Sequence, residues 1–316
     1  MNIRYFIVLM LFLSFNLFAN DFDNITVEVT DVEYYDLFNR DGVCIRYKIN
    51  TTGFEIYKDT KCILKKDYIG KENMLLANDI FIYYNISSCN FEIYKIKTNE
   101  IIEINFKSEK YISTLSPSIY ENIFYAIGDR GNIYKINVSD KTITIIDGYK
   151  MKGIFIGLLN NGNIFTIGTD YPYTENYKEN IEIRIFDNNE HVILKSAIKL
   201  STTNHSMDDF YYCDNRLFIY KRYGDEISNI ITFRQNMFET RDITNFGRVI
   251  NSFTINGNIY YCVYKNIYGG NNKIFIYDSS LKMIKYYGVS LTDYYDINYI
   301  RLIGNRIVAY ECSPGK

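Results

Sequence analysis

The sequence predicts an all-β fold built from repeated sheet units, and three observations predict it. Short apolar strands start behind turns of Asn, Asp or Gly at seven equivalent positions: Val43, Ile80, Ile123, Ile164, Leu217, Ile259 and Ile307. A period of this order marks a chain of similar structural units. Within the units, segments such as Phe91-Glu92-Ile93-Tyr94-Lys95-Ile96 alternate with the two-residue period of a half-buried strand. The inventory of 32 Tyr and 21 Phe, with only 3 Pro, suits pleated, half-buried surfaces. A codon bias toward Ile, Asn, Lys and Tyr is the competing explanation of the tyrosine count.

The units follow one another in order. Residues 34–67 fit loosely, through Cys44-Ile45-Arg46-Tyr47 and Phe54-Glu55-Ile56-Tyr57. Residues 73–106 are the clearest: Met74 to Ala77, Ile80 to Tyr84, Phe91 to Ile96 and Ile101 to Ile104 read as four strands. Polar Asn-rich turns between such runs mark hairpins. Residues 115–147 repeat the pattern around Ile123, Asn132 to Ile136 and Thr142 to Ile146, and residues 153–200 around Ile164 and Ile181 to Phe186. Residues 208–246 and 249–290 follow, with Leu217 to Tyr220 and Ile230 to Phe233, then Ile259 and Lys273 to Tyr277. The last unit, 298–310, holds only two strands. Ile25 to Val32 alternates and has no partner in the first unit, so pairing it into the last one would close a ring. Closure would also reduce the exposed sheet edges that invite aggregation.

This rhythm resembles a β-propeller, in which four-stranded blades radiate from a channel. The resemblance covers residues 20–316 as one domain, with seven blades expected and six as the alternative count. A pair of β-sandwiches or an open solenoid is the competing architecture. The likeness is of rhythm and not of a family signature. WD repeats need Trp-Asp pairs and the chain has no Trp. Quinone-cofactor propellers resemble the Gly131-Asn132-Ile133-Tyr134 stretch but carry docking tryptophans. Kelch units want a double glycine after the second strand, and Gly269-Gly270 is the only such pair.

The first residues read as a secretory leader: Arg4 gives a cationic start, Tyr5 to Phe18 is mostly apolar, and Ala19 precedes polar Asn20. The run is short for a span, which needs about 20 residues. Residues 1–19 are therefore expected to be a cleaved signal, leaving a periplasmic or extracellular product with no transmembrane span. An uncleaved anchor is the alternative. Six cysteines permit disulfides in an exported chain, yet none forms a C-x-x-C pair, and they serve equally well as small buried hydrophobes. Net charge is −2 with no basic stripe, so nucleic acid is excluded as a partner class.

The propeller resemblance implies that loops between strands two and three share a face with loops between blades, and that binding sites use this face. The longest such stretch, Gly168 to Asn180, carries Tyr171, Tyr173 and Tyr177. Tyrosine offers an apolar ring with a polar tip. Between blades lie His205, Asp208 and Asp209, then Asp293 and Tyr294, with Asp296 beside them as a further carboxylate for the enzymatic alternative and not part of the binding set. Together with the three tyrosines, the others are the candidate ligand-binding set. The expected function is a non-enzymatic scaffold for a protein or peptide partner. The alternative is a hydrolase or lyase acting on a glycan, with the loop carboxylates converging over the channel. Acidic pairs in loops are more often solvated surface. No cofactor and no metal are assigned, and a scaffold stabilised by calcium on the loop carboxylates is a third possibility. His191 and His205 lack metal-ligand spacing, and His191 reads as a turn residue. Ser196 and Lys199 match an S-x-x-K spacing by chance, without companion motifs. Sequons at Asn24, Asn50, Asn85, Asn137 and Asn204 are what an Asn-rich chain produces at random.

Overall fold

A computed structural model describes residues 22, 25–30, 33–48, 52–70, 73–107, 109–128, 130–148, 152–169, 178–203, 209–220, 227–265, 272–291 and 296–312. Its strands form six sheets of four and one of three. The closing strand β1 (Thr26–Thr30) precedes the first complete blade. Blade 1 is β2 (Tyr34–Arg40), β3 (Val43–Lys48), β4 (Gly53–Lys58) and β5 (Lys61–Asp67). Blade 2 is β6 (Met74–Ala77), β7 (Ile80–Asn85), β8 (Asn90–Lys95) and β9 (Glu100–Asn105). Blade 3 is β10 (Ile112–Pro117), β11 (Ile123–Gly128), β12 (Asn132–Asn137) and β13 (Thr142–Gly148). Blade 4 is β14 (Lys152–Leu158), β15 (Ile164–Thr169), β16 (Lys178–Phe186) and β17 (Val192–Thr203). Blade 5 is β18 (Asp209–Cys213), β19 (Arg216–Tyr220), β20 (Ile227–Arg234) and β21 (Met237–Thr244). Blade 6 is β22 (Arg248–Ile255), β23 (Asn258–Lys265), β24 (Asn272–Asp278) and β25 (Met283–Val289). Blade 7 is β26 (Asp296–Ile303) and β27 (Arg306–Cys312), with β1 as its third strand.

The fold is a seven-bladed β-propeller, and its ring closes as the repeat pattern predicts. Bonds run between the first strands of neighbouring blades. Ile156 N donates to Thr114 Oγ1 at 2.9 Å, and Asn251 Nδ2 donates to the Ile300 carbonyl at 2.6 Å. Arg301 Nη1 donates to the Asp36 carbonyl at 2.8 Å, which ties blade 7 to blade 1. The closing strand pairs with β27 from Thr26 opposite Arg306 to Thr30 opposite Tyr310. Its direction is parallel, unlike every other strand pairing among the described residues. The seventh blade therefore stops at three strands among the described residues, where the repeat leads one to expect four.

The core lies between blades, as clusters of strand residues facing each other across successive seams. Phe54 and Ile56 of blade 1 pack with Phe81 and Tyr83 of blade 2. Ile82 and Phe91 of blade 2 meet Phe124 and Ile136 of blade 3. Ile307 and Ala309 of blade 7 pack with Cys262 and Ile276 of blade 6. Alternation explains how one strand serves two seams, since successive side chains point to opposite faces of the sheet. Away from the axis the wedge between blades widens. A groove of about 720 Å³ opens between β9 and β13, lined by Glu103, Lys107, Tyr134, Lys141 and Thr144.

Turns set the hairpin register. In the two-residue turns Asp41-Gly42, Asp59-Thr60, Asn78-Asp79, Asp214-Asn215 and Asn256-Gly257, both residues have positive φ. This is the type I′ geometry whose twist matches the flanking strands, and Asn, Asp and Gly tolerate it best. His191 sits in the turn after β16, as expected: its backbone N–H donates to Asp187 Oδ1 at 2.9 Å. Cys44, Cys62, Cys89, Cys213 and Cys262 are free thiols. Among the described residues, no helix is long and apolar enough to cross a membrane.

Candidate binding face

Antiparallel strands alternate direction, so successive connections fall alternately on two faces of the ring. One face holds the connections between first and second strands and between third and fourth strands. These are all two to five residues long. The other face holds the connections between second and third strands and between blades, which run from three to eight residues. The longest, residues 170–177, joins β15 to β16. Length variation is thus concentrated on one face, here called the loop face. Connections carried by a rigid scaffold are where binding residues concentrate.

Most of the expected binding set lies in these longer connections. Tyr171, Tyr173, Tyr177, His205, Asp208, Asp293 and Tyr294 all lie outside the described residues. Asp209 is the first residue of β18, opposite Tyr220, and Asp296 is the first residue of β26, opposite Cys312. Both therefore begin innermost strands at the loop face.

Beneath the loops the described blades carry buried charged groups that residue-type reasoning missed. On β8, Glu92 accepts hydrogen bonds from Tyr83 Oη, from Asn85 Nδ2 at 2.6 Å and from Lys66 Nζ at 3.1 Å. Lys66 belongs to blade 1, so this contact latches two blades together. Burial opposes ionisation of Glu92, but the three donors and the lysine charge outweigh it and hold its pKa below the ordinary glutamate value. At the next seam Glu109, in the connection between blades 2 and 3, is fully buried. Its Oε1 accepts from Asn132 Nδ2 and Tyr134 Oη, each at 2.8 Å, while its backbone carbonyl accepts from Tyr84 Oη at 2.6 Å. A side chain at Gly128 would place its Cβ 2.6 Å from the Glu109 carboxyl carbon, so glycine is what lets this carboxylate sit down on the blade.

The third latch exchanges the charges. Arg184 of blade 4 donates through Nη1 to Asp147 of blade 3 at 2.6 Å and through Nε to Glu182 at 2.7 Å. Blade 1 carries the counterpart of Glu92 in Glu55. Its carboxylate accepts from Tyr34 Oη at 3.1 Å, Tyr57 Oη at 2.6 Å and Lys65 Nζ at 3.0 Å. The Glu55 bond pushes Tyr57 up to about 12. A sequence signal for these two sites exists: Phe-Glu-Ile-Tyr-Lys occurs unchanged at 54–58 and 91–95. Chemically the latches are struts. Each ion is engaged by donors or counter-ions from its own or the adjacent blade, which fixes the seams that carry the loops. The described residues contain no group of three metal-ligating side chains close enough to hold an ion.

The latches predict an acid-sensitive seam. The folded pKa of Glu92 lies below its unfolded value of 4.5. The stability it contributes is therefore complete above that value and is lost as pH falls through the lower folded one. Glu55 is shifted in the same direction, with burial opposing and the bonds from Tyr57, Lys65 and Tyr34 prevailing. Urea midpoints should decline between about pH 5 and pH 3, and the decline should be shallower in Glu92→Gln than in wild type. Equal slopes would show that Glu92 is not a linked group.

No protein-family model and no curated protein matches the chain. Solved structures do. The chain is similar to a dihydro-heme d1 dehydrogenase in complex with its ligand, with a TM-score of 0.59 and 11% identity over 85% of this chain. It spans 58% of that protein's length. A β-propeller domain from Myceliophteria thermophila aligns with a TM-score of 0.55 and 10% identity, covering 86% of this chain and 90% of that one. Kuenenia stuttgartiensis hydrazine synthase aligns with a TM-score of 0.51 and 11% identity, covering 82% and 78% of the two chains. At such identities the likeness is one of fold, and it is the propeller fold that these proteins share with this chain.

Proposed function

We propose that the chain is an exported, non-enzymatic scaffold that uses its loop face to hold a protein or peptide partner. The observation that carries the reading is the asymmetry of the ring: turns of two to five residues on one face, connections of up to eight on the other. The propeller fold is compatible with such a scaffold. The latched seams beneath the loop face add a second reason, because a fixed frame lowers the ordering cost of binding. Tyr171, Tyr173 and Tyr177 in the longest connection are the proposed anchors, with His205, Asp208, Asp209, Asp293 and Tyr294 contributed by the neighbouring connections. Export rests on the leader pattern of residues 1–19.

Two measurements test the reading. Immobilised protein lacking residues 171–177 should fail to retain a partner that the wild-type chain retains from an envelope extract. Recovery of every partner in equal amount by both proteins would remove the tyrosines as anchors. N-terminal sequencing of the protein as made by its own cells should start at Asn20. A start at Met1 would contradict export by a cleaved leader.

A further inference from the structure

Among the described residues the seventh blade leaves a notch in the rim. Its outermost described strand is β1, whereas blades 1 and 6 on either side each carry a fourth strand, β5 and β25. The fourth-strand position of blade 7 thus lies between two occupied ones. Alternation identifies what faces it. Val27 and Val29 of β1 pack with the blade 6 cluster, so Thr26, Glu28 and Thr30 point toward blade 1. On blade 1, Phe54 packs on Phe81 of blade 2, with ring centroids 4.8 Å apart. Glu55 with its cross-strand partner Arg46, and Tyr57 two residues on, must then point the other way, toward blade 7.

The two Phe-Glu-Ile-Tyr-Lys copies differ in their surroundings among the described residues. In the second copy, Glu92 meets Lys66 from the fourth strand of the preceding blade. Tyr83 and Tyr94, flanking Glu92 on the same face, are each 1% exposed. In the first copy no preceding fourth strand is present among the described residues. Arg46, at the position equivalent to Tyr83, has a side chain 45% exposed, and Tyr57, equivalent to Tyr94, is only half-buried. Glu55 receives its lysine from its own blade instead. It accepts three hydrogen bonds, and a carboxylate offers about four acceptor positions.

We propose that this notch accepts an extended segment of a partner protein as the fourth strand of blade 7, with a Lys or Arg of that segment bonded to Glu55. The free edge of β1 supplies backbone donors and acceptors, and addition of a strand to such an edge is an established mode of peptide recognition. The cation follows from the Lys66–Glu92 precedent at the adjoining seam. Residues 5–21, which lead toward β1, contain neither Lys nor Arg, so they do not supply this cation. The inference is independent of the loop-face reading, since it concerns the rim.

The test uses the full chain and a nine-residue peptide with the sequence of residues 60–68, Cys62 replaced by serine. A second peptide carries Lys61→Glu, Lys65→Glu and Lys66→Glu. Binding is read by fluorescence anisotropy, and its place by amide exchange of residues 26–30. The proposal predicts slower exchange at 26–30 with the lysine peptide and at least about tenfold weaker binding of the glutamate peptide. Glu55→Gln protein should lose most of this difference between peptides. Equal binding of both peptides, no binding of either, or protection elsewhere than 26–30 would overturn it. So would an edge already closed before peptide is added, either by residues 17–21 exchanging as slowly as β1 or by sedimentation as a dimer.

Discussion

Phe22→Ala is expected to destabilise the protein by about 3–5 kcal/mol, the range for emptying a buried phenylalanine site. Phe22 is fully buried although it lies four residues before β1. Its ring meets Tyr260 edge to face at 4.8 Å. Its carbonyl accepts from Lys285 Nζ at 3.0 Å, Tyr287 Oη at 3.2 Å and the backbone N–H of Ile25 at 3.3 Å. The residue pins the start of the closing strand to blade 6. Loss of its ring should therefore lower both the urea midpoint and the protection of residues 26–30. Glu28→Ala is the control. Its ion pair with Arg306 is 3.3 Å long but more than half exposed on both sides, and such pairs contribute about 0–1 kcal/mol. A Phe22→Ala effect as small as that of Glu28→Ala would mean that closure does not depend on this anchor.

Arg184→Leu is expected to cost about 2–4 kcal/mol. Removing one member of a buried ion group strands the others, and the cost for fully buried partners is about 3–5 kcal/mol. Asp147 is 28% exposed at its side chain, so water compensates part of that loss. The Arg184 guanidinium also donates to the Gly148 carbonyl at 3.0 Å, which leucine cannot replace. The triple variant Arg184→Leu with Asp147→Asn and Glu182→Gln should recover stability relative to Arg184→Leu alone, because the stranded charges are gone. Failure of that recovery would locate the cost in packing and not in charge. Guanidinium chloride would screen this contribution, so the comparison belongs in urea.

Periodicity carried the fold because a propeller is one pattern repeated. The starts of the second strands, the two-strand last unit and the unpaired segment at 25–32 were all visible as apolar runs and turns. The direction of β1 was not visible, since an alternating strand pairs equally well either way. That blade 7 has three strands among the described residues was hidden for the same reason: nothing in residues 25–32 states how many neighbours they will have. The charged latches escaped because Glu92, Glu109 and Arg184 read individually as surface residues. Only the register across two blades brings Lys66 to Glu92 and Asp147 to Arg184. The copied Phe-Glu-Ile-Tyr-Lys stretch was the one local sign, since the Glu alternates with Phe and Ile yet faces a seam. The proposed anchors at Tyr171, Tyr173 and Tyr177 were chosen by composition and loop length, and the described residues supply only the face on which that loop emerges.

The central claim is that residues 26–30 complete the last blade by pairing with residues 306–310. Native-state amide exchange of these two segments in a urea series tests it most directly, because paired strands open together. The account predicts that both segments are protected and lose protection at the same urea concentration, with the same free energy of opening. Exchange of residues 26–30 at the rate of an unstructured peptide, while residues 306–310 stay protected, would contradict it.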